Sequence, residues 1–174
     1  MVGLSEIKEN LKPGLVLFII CLASAFSLSV VHSLTEEKIA KVEEEQANRA
    51  LMDIFPTSEL IEEDGYWRAE DEGETVGYAS VVKSSGYGGE MRVALGIYPN
   101  ETIKGVRVIS HKETPGIGSK ATKMSFLKQF SGLDSGDLKL ENENGEIDAV
   151  SGATISSQAV TDAVKKGLRN ILER

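Results

Sequence analysis

The sequence has few residues able to bind a metal or attach a haem. It contains one cysteine, Cys21, and two histidines, His32 and His111. Within the chain these numbers exclude a disulfide, the haem-attachment motif CxxCH, an iron–sulfur ligand set and a zinc cluster. We therefore expect no metal site, and any electron transfer by this protein requires an organic cofactor.

Basic residues are fewer than acidic residues in this sequence. The chain carries 19 Lys and Arg against 27 Asp and Glu, a formal net charge of −8, and the acidic excess lies entirely after residue 35. An acidic surface is repelled by phosphate backbones, so we exclude nucleic acid as a partner. With 41% apolar and 26% charged residues, the composition predicts a folded body and not a disordered one.

Charged residues are missing altogether from the apolar segment 15–31. Its flanks extend it to about the 20 residues that cross a bilayer. We predict a transmembrane helix over residues 13–34, in contact with membrane lipid, after a short N-terminus at 1–12. A bulky Ile20 precedes Cys21 where a lipoprotein signal has a small residue, and no clear small-x-small cleavage site follows, so an uncleaved anchor is favoured. The flanking lysines are balanced and leave the orientation open.

A helical stalk is predicted for residues 35–56. Thr35, followed by two glutamates, is typical of a helix start, and Pro56 ends the pattern. A coiled-coil helix is the competing interpretation. The residues expected near one helical face are Ile39, Val42, Ala47, Ala50, Leu51 and Ile54.

Residues 57–174 are predicted to form one α+β domain, an antiparallel sheet flanked by helices. Alternating runs rich in β-branched and aromatic residues, separated by short turns, predict antiparallel strands at 66–69, 75–82, 91–98 and 103–109. A helix is expected at 120–130 with Ala121, Met124, Leu127 and Phe130 inward, then a polar loop at 131–145 with a brief strand at 138–140. The last helix is expected to be capped by Ser156 or Ser157, with Val160, Ala163, Val164, Leu168, Ile171 and Leu172 on one face.

The segment 148–154, with the sequence DAVSGAT, is the first candidate site. Ser151, Gly152 and Ala153 are small enough for a ligand to lie against the backbone. Thr154 then presents a hydroxyl close to a helix N-terminus, where free N–H groups favour a phosphate. The competing interpretation is that these hydroxyl residues only cap the helix.

Two further segments are candidates. The loop at 111–118, HKETPGIG, contains Pro115, which fixes one φ angle, and two glycines that permit tight turns; a plain strand-to-helix loop capped by Ser119 is its alternative. The segment 84–89 is a glycine-rich turn around Tyr87, for which a simple hairpin turn is the alternative. His111 has no partner spacing typical of a hydrolase triad, so we interpret it as a loop residue near a ligand.

These motifs, Gly86-Tyr87-Gly88-Gly89, 111–118 and 148–154, resemble the FMN-binding domain family. That family includes the G subunit of the Rnf electron-transport complex and the C subunit of sodium-pumping NADH:quinone reductase. The motif order, the single N-terminal span and the length are similar to the Rnf G subunit. The longer insertions expected of the quinone-reductase subunit are missing.

The resemblance implies FMN linked to Thr154 by a phosphodiester bond, which a flavin transferase forms from FAD. It implies that Ser151, Gly152 and Ala153 lie near the phosphate, and it places domain 57–174 on the extracytoplasmic side and residues 1–12 in the cytoplasm. The residues expected to cover the isoalloxazine ring are Tyr87, Glu113, Thr114, Pro115, Gly116, Ile117 and Gly118.

The implied function is that of a membrane-anchored electron-transfer subunit of an ion-translocating oxidoreductase, which couples ferredoxin oxidation to ion movement. The subunit would relay electrons between the other redox subunits and would have no catalytic residue of its own. Two alternatives remain. The first is a flavin-carrying subunit of a sodium-pumping quinone reductase or another respiratory chain. The second is a flavin-free membrane-anchored sensor or assembly module.

Overall fold

The computed structural model describes residues 4–141 and 145–173, so residues 142–144 of the predicted loop and residues 1–3 of the predicted N-terminus lie outside the described part. Two compact units divide the chain, Met1–Glu44 and Glu45–Arg174. The described part of the first unit is helical, and the second unit contains the sheet and further helices. The predicted α+β class is confirmed.

One continuous helix, α1 (Leu4–Ile54), occupies both the predicted span and the predicted stalk. The predicted helix start at Thr35 is therefore wrong. The Thr35 hydroxyl donates to the Val31 carbonyl oxygen at 2.8 Å, so it bonds back to the preceding turn and does not cap a new one. By length and composition α1 is able to cross a membrane, which is compatible with the predicted anchor.

The last turns of α1 belong to the second unit and pack there. Four residues of the predicted stalk face are buried, namely Ala47, Ala50, Leu51 and Ile54. Ile39 and Val42 lie earlier in the helix, in the first unit, and are each 51% exposed. Within the second unit, Ala50, Leu51 and Ile54 pack in one cluster with residues of the sheet.

The sheet has five antiparallel strands arranged in chain order. They are β1 (Glu59–Glu63), β2 (Tyr66–Asp71), β3 (Glu74–Ser85), β4 (Glu90–Ile97) and β5 (Ile103–His111). The register is fixed by pairs such as Val82 with Val93 in β3 and β4. Four strands were predicted and are confirmed with small changes at their ends, whereas β1 was not predicted.

The two faces of the sheet bury different clusters, because successive side chains of a strand point to opposite sides. One face packs on the end of α1, where Phe55 is fully buried with Ala79 and Ala94. A Cβ built at Gly77 or Gly96 would lie 2.6 Å from a Phe55 ring carbon, so these positions admit only glycine. The other face packs on the C-terminal helix through Val82, Val93, Leu95, Val160, Val164 and Leu168.

The predicted helix at 120–130 is three short pieces: a 3₁₀ turn at Gly118–Thr122, the helix α2 (Met124–Leu127) and a second 3₁₀ turn at Lys128–Phe130. Lys123 is extended, with φ −84° and ψ 152°, and this break shifts the helical phase. As a result Phe126 is buried and Met124 is 39% exposed, against the prediction. Ala121, Leu127 and Phe130 are buried as predicted.

The last helix, α3 (Thr154–Leu172), begins before the predicted caps. Ser156 and Ser157 are buried inside its first turn and do not cap it. The predicted inward face is confirmed at Val160, Ala163, Val164, Leu168 and Ile171, but Leu172 is 39% exposed. In place of the predicted brief strand at 138–140, Leu140 forms one parallel bridge with Ile147.

Candidate functional site

The three sequence motifs meet at the N-terminus of α3. They line a cavity of about 470 Å³ that is open to solvent. Its wall contains one ionisable side chain, that of Tyr87, among the described residues. The lining residues are Tyr87, Thr114, Ile117, Gly118, Gly152, Ala153, Thr154, Ile155 and Ser156.

The turn that leads into α3 is held by its own hydrogen bonds. The Ala153 N–H donates to the Val150 carbonyl oxygen at 2.8 Å. The Val150 N–H donates to the Ser157 hydroxyl oxygen at 3.0 Å. Gly152 has φ +76°, a left-handed conformation that favours glycine. Ser151 lies in this turn, is exposed and is not among the lining residues.

Thr154 is the first residue of α3, and its side chain is exposed. The N-cap residue is Ala153, and no side chain caps this end. The competing interpretation of Thr154 as a helix cap is therefore wrong. Because the first N–H groups of a helix have no intrahelical acceptor, an uncapped N-terminus that opens onto a cavity favours an anionic group there.

The glycine-rich segment joins β3 to β4 as a tight turn, in which the Gly86 N–H donates to the Gly89 carbonyl oxygen at 2.8 Å. The hairpin interpretation is thus confirmed. The turn also contributes to the cavity, because Tyr87 lines it and is 74% exposed. Gly88 packs directly on the next motif, since a Cβ there would lie 2.8 Å from the Glu113 Cα atom.

The loop at 111–118 contributes three lining residues, Thr114, Ile117 and Gly118. Pro115 and Gly116 are exposed and lie outside the lining. The Ser119 hydroxyl oxygen accepts from the Gly116 N–H at 2.9 Å and does not cap a helix.

His111 is exposed and does not line the cavity. Its Nδ1 atom accepts from the Glu113 N–H at 3.2 Å. His111 is the last residue of β5 and pairs with Met91, so its interpretation as a loop residue is wrong. His111 lies two residues before Glu113, which is buried.

Glu113 lies behind the cavity wall and is only 5% exposed. Its Oε2 atom accepts from the Ser156 hydroxyl at 2.8 Å and from the Gly88 N–H at 3.3 Å. Its Oε1 atom is buried and has no hydrogen-bond partner within the described part of the chain. One carboxyl group therefore connects the loop at 111–118, the glycine-rich turn and the first turn of α3.

Sequence reasoning did not identify Ile155 and Ser156 as cavity residues, and it assigned Glu113 to the ring cover. Ile155 is 58% exposed at the rim, while Ser156 is buried and faces Glu113. Their position directly after the DAVSGAT segment, in the first turn of the predicted helix, was the available signal. No local sequence pattern signalled the burial of Glu113, because that burial arises from contacts with residues 25 and 43 positions away in the sequence.

The sequence matches two families. Residues 86–169 match the family described as FMN-binding domain, and residues 4–54 match the one described as RnfG N-terminal region. The first range begins at the glycine-rich turn and includes all three motifs, and the second coincides with α1.

Relatives of known function align over nearly the whole chain. The G subunit of the ion-translocating oxidoreductase complex of Methanosarcina acetivorans is 33% identical over 92% of this chain and 94% of its own. The protein of the same name in Vibrio cholerae is 28% identical over 97% of this chain and 91% of its own.

A solved structure has the same fold over part of the chain. The crystal structure of the C subunit of the Na(+)-translocating NADH-quinone reductase from Parabacteroides distasonis superposes with a TM-score of 0.52 at 23% identity. The match covers 62% of this chain and 60% of that chain, so the present protein spans less than two thirds of it.

Proposed function

We propose, from the premise that the chain belongs to the family of G subunits of Rnf-type ion-translocating oxidoreductase complexes, that it carries FMN covalently on Thr154 and relays electrons between other subunits. One observation supports this most: the cavity brings all three motifs together around the exposed, uncapped Thr154. The other subunits of the complex are its partners.

The residues present fit FMN. A cavity of about 470 Å³ lies within the range of about 300–1,000 Å³ typical of small-molecule sites. The N-terminus of α3 suits the phosphate. The small residues Gly152 and Ala153 line the cavity beside it, and Ser151 is exposed next to them. Tyr87, Ile117 and Ile155 are more than half exposed at the cavity, which suits an apolar ring.

The attachment needs the Thr154 hydroxyl to be reachable by a second enzyme, a flavin transferase. The Thr154 Oγ1 atom forms a bond to the FMN phosphorus of FAD, the P–O–P bridge of FAD breaks, AMP leaves, and the hydroxyl proton is released. Thr154 is exposed, while Ala153 before it and Ser156 two residues after it are buried, so the hydroxyl is accessible on a backbone that is anchored nearby.

The chain's own residues hold and orient the cofactor, and none of them is catalytic. FMN supplies the electron transfer. A covalent tether prevents the dilution of the cofactor if the domain lies outside the cytoplasm. We place residues 1–12 in the cytoplasm, 13–34 in the lipid bilayer, 35–56 as the stalk and 57–174 on the extracytoplasmic side. Since the apolar segment 15–31 has no charge, ion movement belongs to other subunits.

The test uses the full chain coexpressed with a flavin transferase and purified in detergent. Intact mass and in-gel flavin fluorescence are recorded for the wild type, Thr154→Ala, Thr154→Ser and Thr57→Ala. Thr57 is exposed and does not line the cavity, so Thr57→Ala controls for loss of a hydroxyl elsewhere. We expect one phosphodiester-linked FMN in all but Thr154→Ala. A wild type without flavin would overturn the proposal and favour the sensor or assembly module.

A further inference from the structure

Glu113 is a buried carboxyl group that contacts two segments distant from it in the sequence. It is 5% exposed, and its Oε2 atom accepts from Ser156 in the first turn of α3 and from Gly88 in the turn between β3 and β4. Each of those segments also contributes a wall of the cavity, through Ser156 itself and through Tyr87. Glu113 thus lies where the walls join.

The surrounding glycines leave space for this carboxyl group. A Cβ built at Gly86 would overlap the Glu113 Oε1 atom, and one built at Gly118 would overlap its Oε2 atom. A side chain at either position would displace the carboxyl group. The glycine-rich turn and the loop at 111–118 therefore pack against it with backbone only.

Stability alone does not explain a carboxyl group at this position. Burying one is costly unless its oxygens are hydrogen-bonded. Here Oε2 has two donors, whereas Oε1 has no hydrogen-bond partner in the part of the chain that the structure describes. An apolar side chain of similar volume would avoid the cost of Oε1, but it would leave the Ser156 hydroxyl and the Gly88 N–H without this acceptor. What the carboxyl group supplies at this position is therefore its contact with those two donors.

We infer that Glu113 is a positioning residue for the flavin-attachment site. By accepting from Ser156 and Gly88 it fixes the first turn of α3, which begins with Thr154, against the Tyr87 turn. The cavity and the Thr154 hydroxyl are then pre-organised before the cofactor arrives. This inference rests on the proposed function of Thr154 as the attachment residue.

The variants are Glu113→Ala, Glu113→Gln, Ser156→Ala and the double variant Glu113→Ala/Ser156→Ala, each in the full chain in detergent. Glu62→Ala is the matched control, because Glu62 is an exposed glutamate on the edge strand β1. All are produced without a transferase. Hydrogen exchange of the flavin-free chain is measured first, at the Gly88 amide and at residues 153–157. The rate of flavin attachment with added transferase and FAD is measured second.

Glu113→Ala is expected to speed exchange at Gly88 and at 153–157, and to slow attachment about tenfold, the factor that corresponds to about 1.4 kcal/mol. Glu113→Gln retains an acceptor oxygen for both donors and is expected to restore most of the attachment rate. The double variant is expected to be no slower than Glu113→Ala, because both changes remove the same contact. Glu62→Ala should match the wild type.

Wild-type exchange and attachment in Glu113→Ala would overturn the inference, as would an equal defect in Glu113→Gln. If Glu113→Ala does not fold, Ser156→Ala tests the inference instead, because it removes only one of the two donors to Glu113. Faster hydrogen exchange at 153–157 in Ser156→Ala supports the inference, and unchanged exchange overturns it. If the wild type takes up no flavin, the proposed function fails, while exchange in the flavin-free chain still decides whether Glu113 orders the site.

Discussion

Replacing Gly88 by alanine should separate two walls of the cavity. Gly88 has no positive φ, so its backbone conformation is open to alanine. The restriction is steric, because an added Cβ would overlap the Lys112 carbonyl oxygen and lie 2.8 Å from the Glu113 Cα atom. Both neighbours are backbone atoms, which cannot rotate away as a side chain does.

The size of the effect follows from that distance. Carbon atoms in contact lie about 3.5–4.0 Å apart, so the turn must move by roughly 1 Å away from the loop at 111–118. Overpacking of this kind typically lowers the free energy of unfolding by about 1–3 kcal/mol. The same movement lengthens the hydrogen bond from Gly88 to Glu113, now 3.3 Å, and carries Tyr87 away from Thr114 and Ile117.

Gly116 provides a matched control in the neighbouring motif. It has φ +80° and nothing within 4 Å of an added Cβ, so its restriction is conformational only. Gly116→Ala should lower the unfolding free energy by about 1–2 kcal/mol. Gly116→Asn should cost less, because asparagine tolerates the left-handed region. Gly88→Asn should be no better than Gly88→Ala.

The assay is chemical unfolding of the detergent-solubilised full chain, together with the rate of flavin attachment by added transferase. Gly88→Ala should lose about 1–3 kcal/mol and slow attachment about tenfold. A Gly88→Ala chain with wild-type attachment and a stability loss below about 0.5 kcal/mol, within the range of ordinary surface substitutions, would refute the steric argument.

Three further predictions concern residues around the sheet and α3. Phe55→Ala should lower the unfolding free energy by about 3–5 kcal/mol in denaturant titrations, because it empties a fully buried site and removes the contact with Lys104. The folded fraction should still accept flavin. A loss of unfolding free energy below about 1 kcal/mol would contradict the packing described for Phe55. Ser157→Ala removes the acceptor of the Val150 N–H and should cost about 1–3 kcal/mol, with faster exchange at that amide; unchanged exchange would contradict this. Ile155→Glu should raise the stability of α3 by about 0.3–1 kcal/mol, because a negative charge near a helix N-terminus interacts favourably with the helix dipole. It should also slow flavin attachment, because the same charge repels a phosphate. Faster attachment would exclude an anion site at the N-terminus of α3.

The fold could be predicted where one physical pattern dominated. Alternation of buried and exposed residues identified β3, β4 and β5, and the helical period identified the inward face of α3. Strand β1 was not predicted, because three of its five residues are glutamates and the alternation of apolar and polar residues is lost. The Thr35 signal misled because the same hydroxyl either caps a helix or bonds back within one, and the choice depends on the preceding backbone.

The site could be predicted as a set of segments but not as a geometry. The small residues of 148–154 and the glycines of the other motifs mark places of close backbone approach, and the structure brings those segments together. The contact of Ser156 with Glu113 spans 43 residues, and no local pattern reports it. A glutamate in a polar loop is exposed by default, so its burial follows only from the packed arrangement.

The proposed attachment of FMN to Thr154 sets two opposing requirements on the residues around it. An acceptor hydroxyl for a second enzyme must be exposed, which ordinarily means a mobile loop. The cavity, in contrast, requires a backbone fixed closely enough for a phosphate to meet the helix N-terminus. The chain meets both by alternating exposure: Gly152 turns, Ala153 is buried, Thr154 and Ile155 are exposed, and Ser156 is buried. Small residues suit this because the buried positions have little room, and the contact of Ser156 with Glu113 keeps the exposed hydroxyl in place.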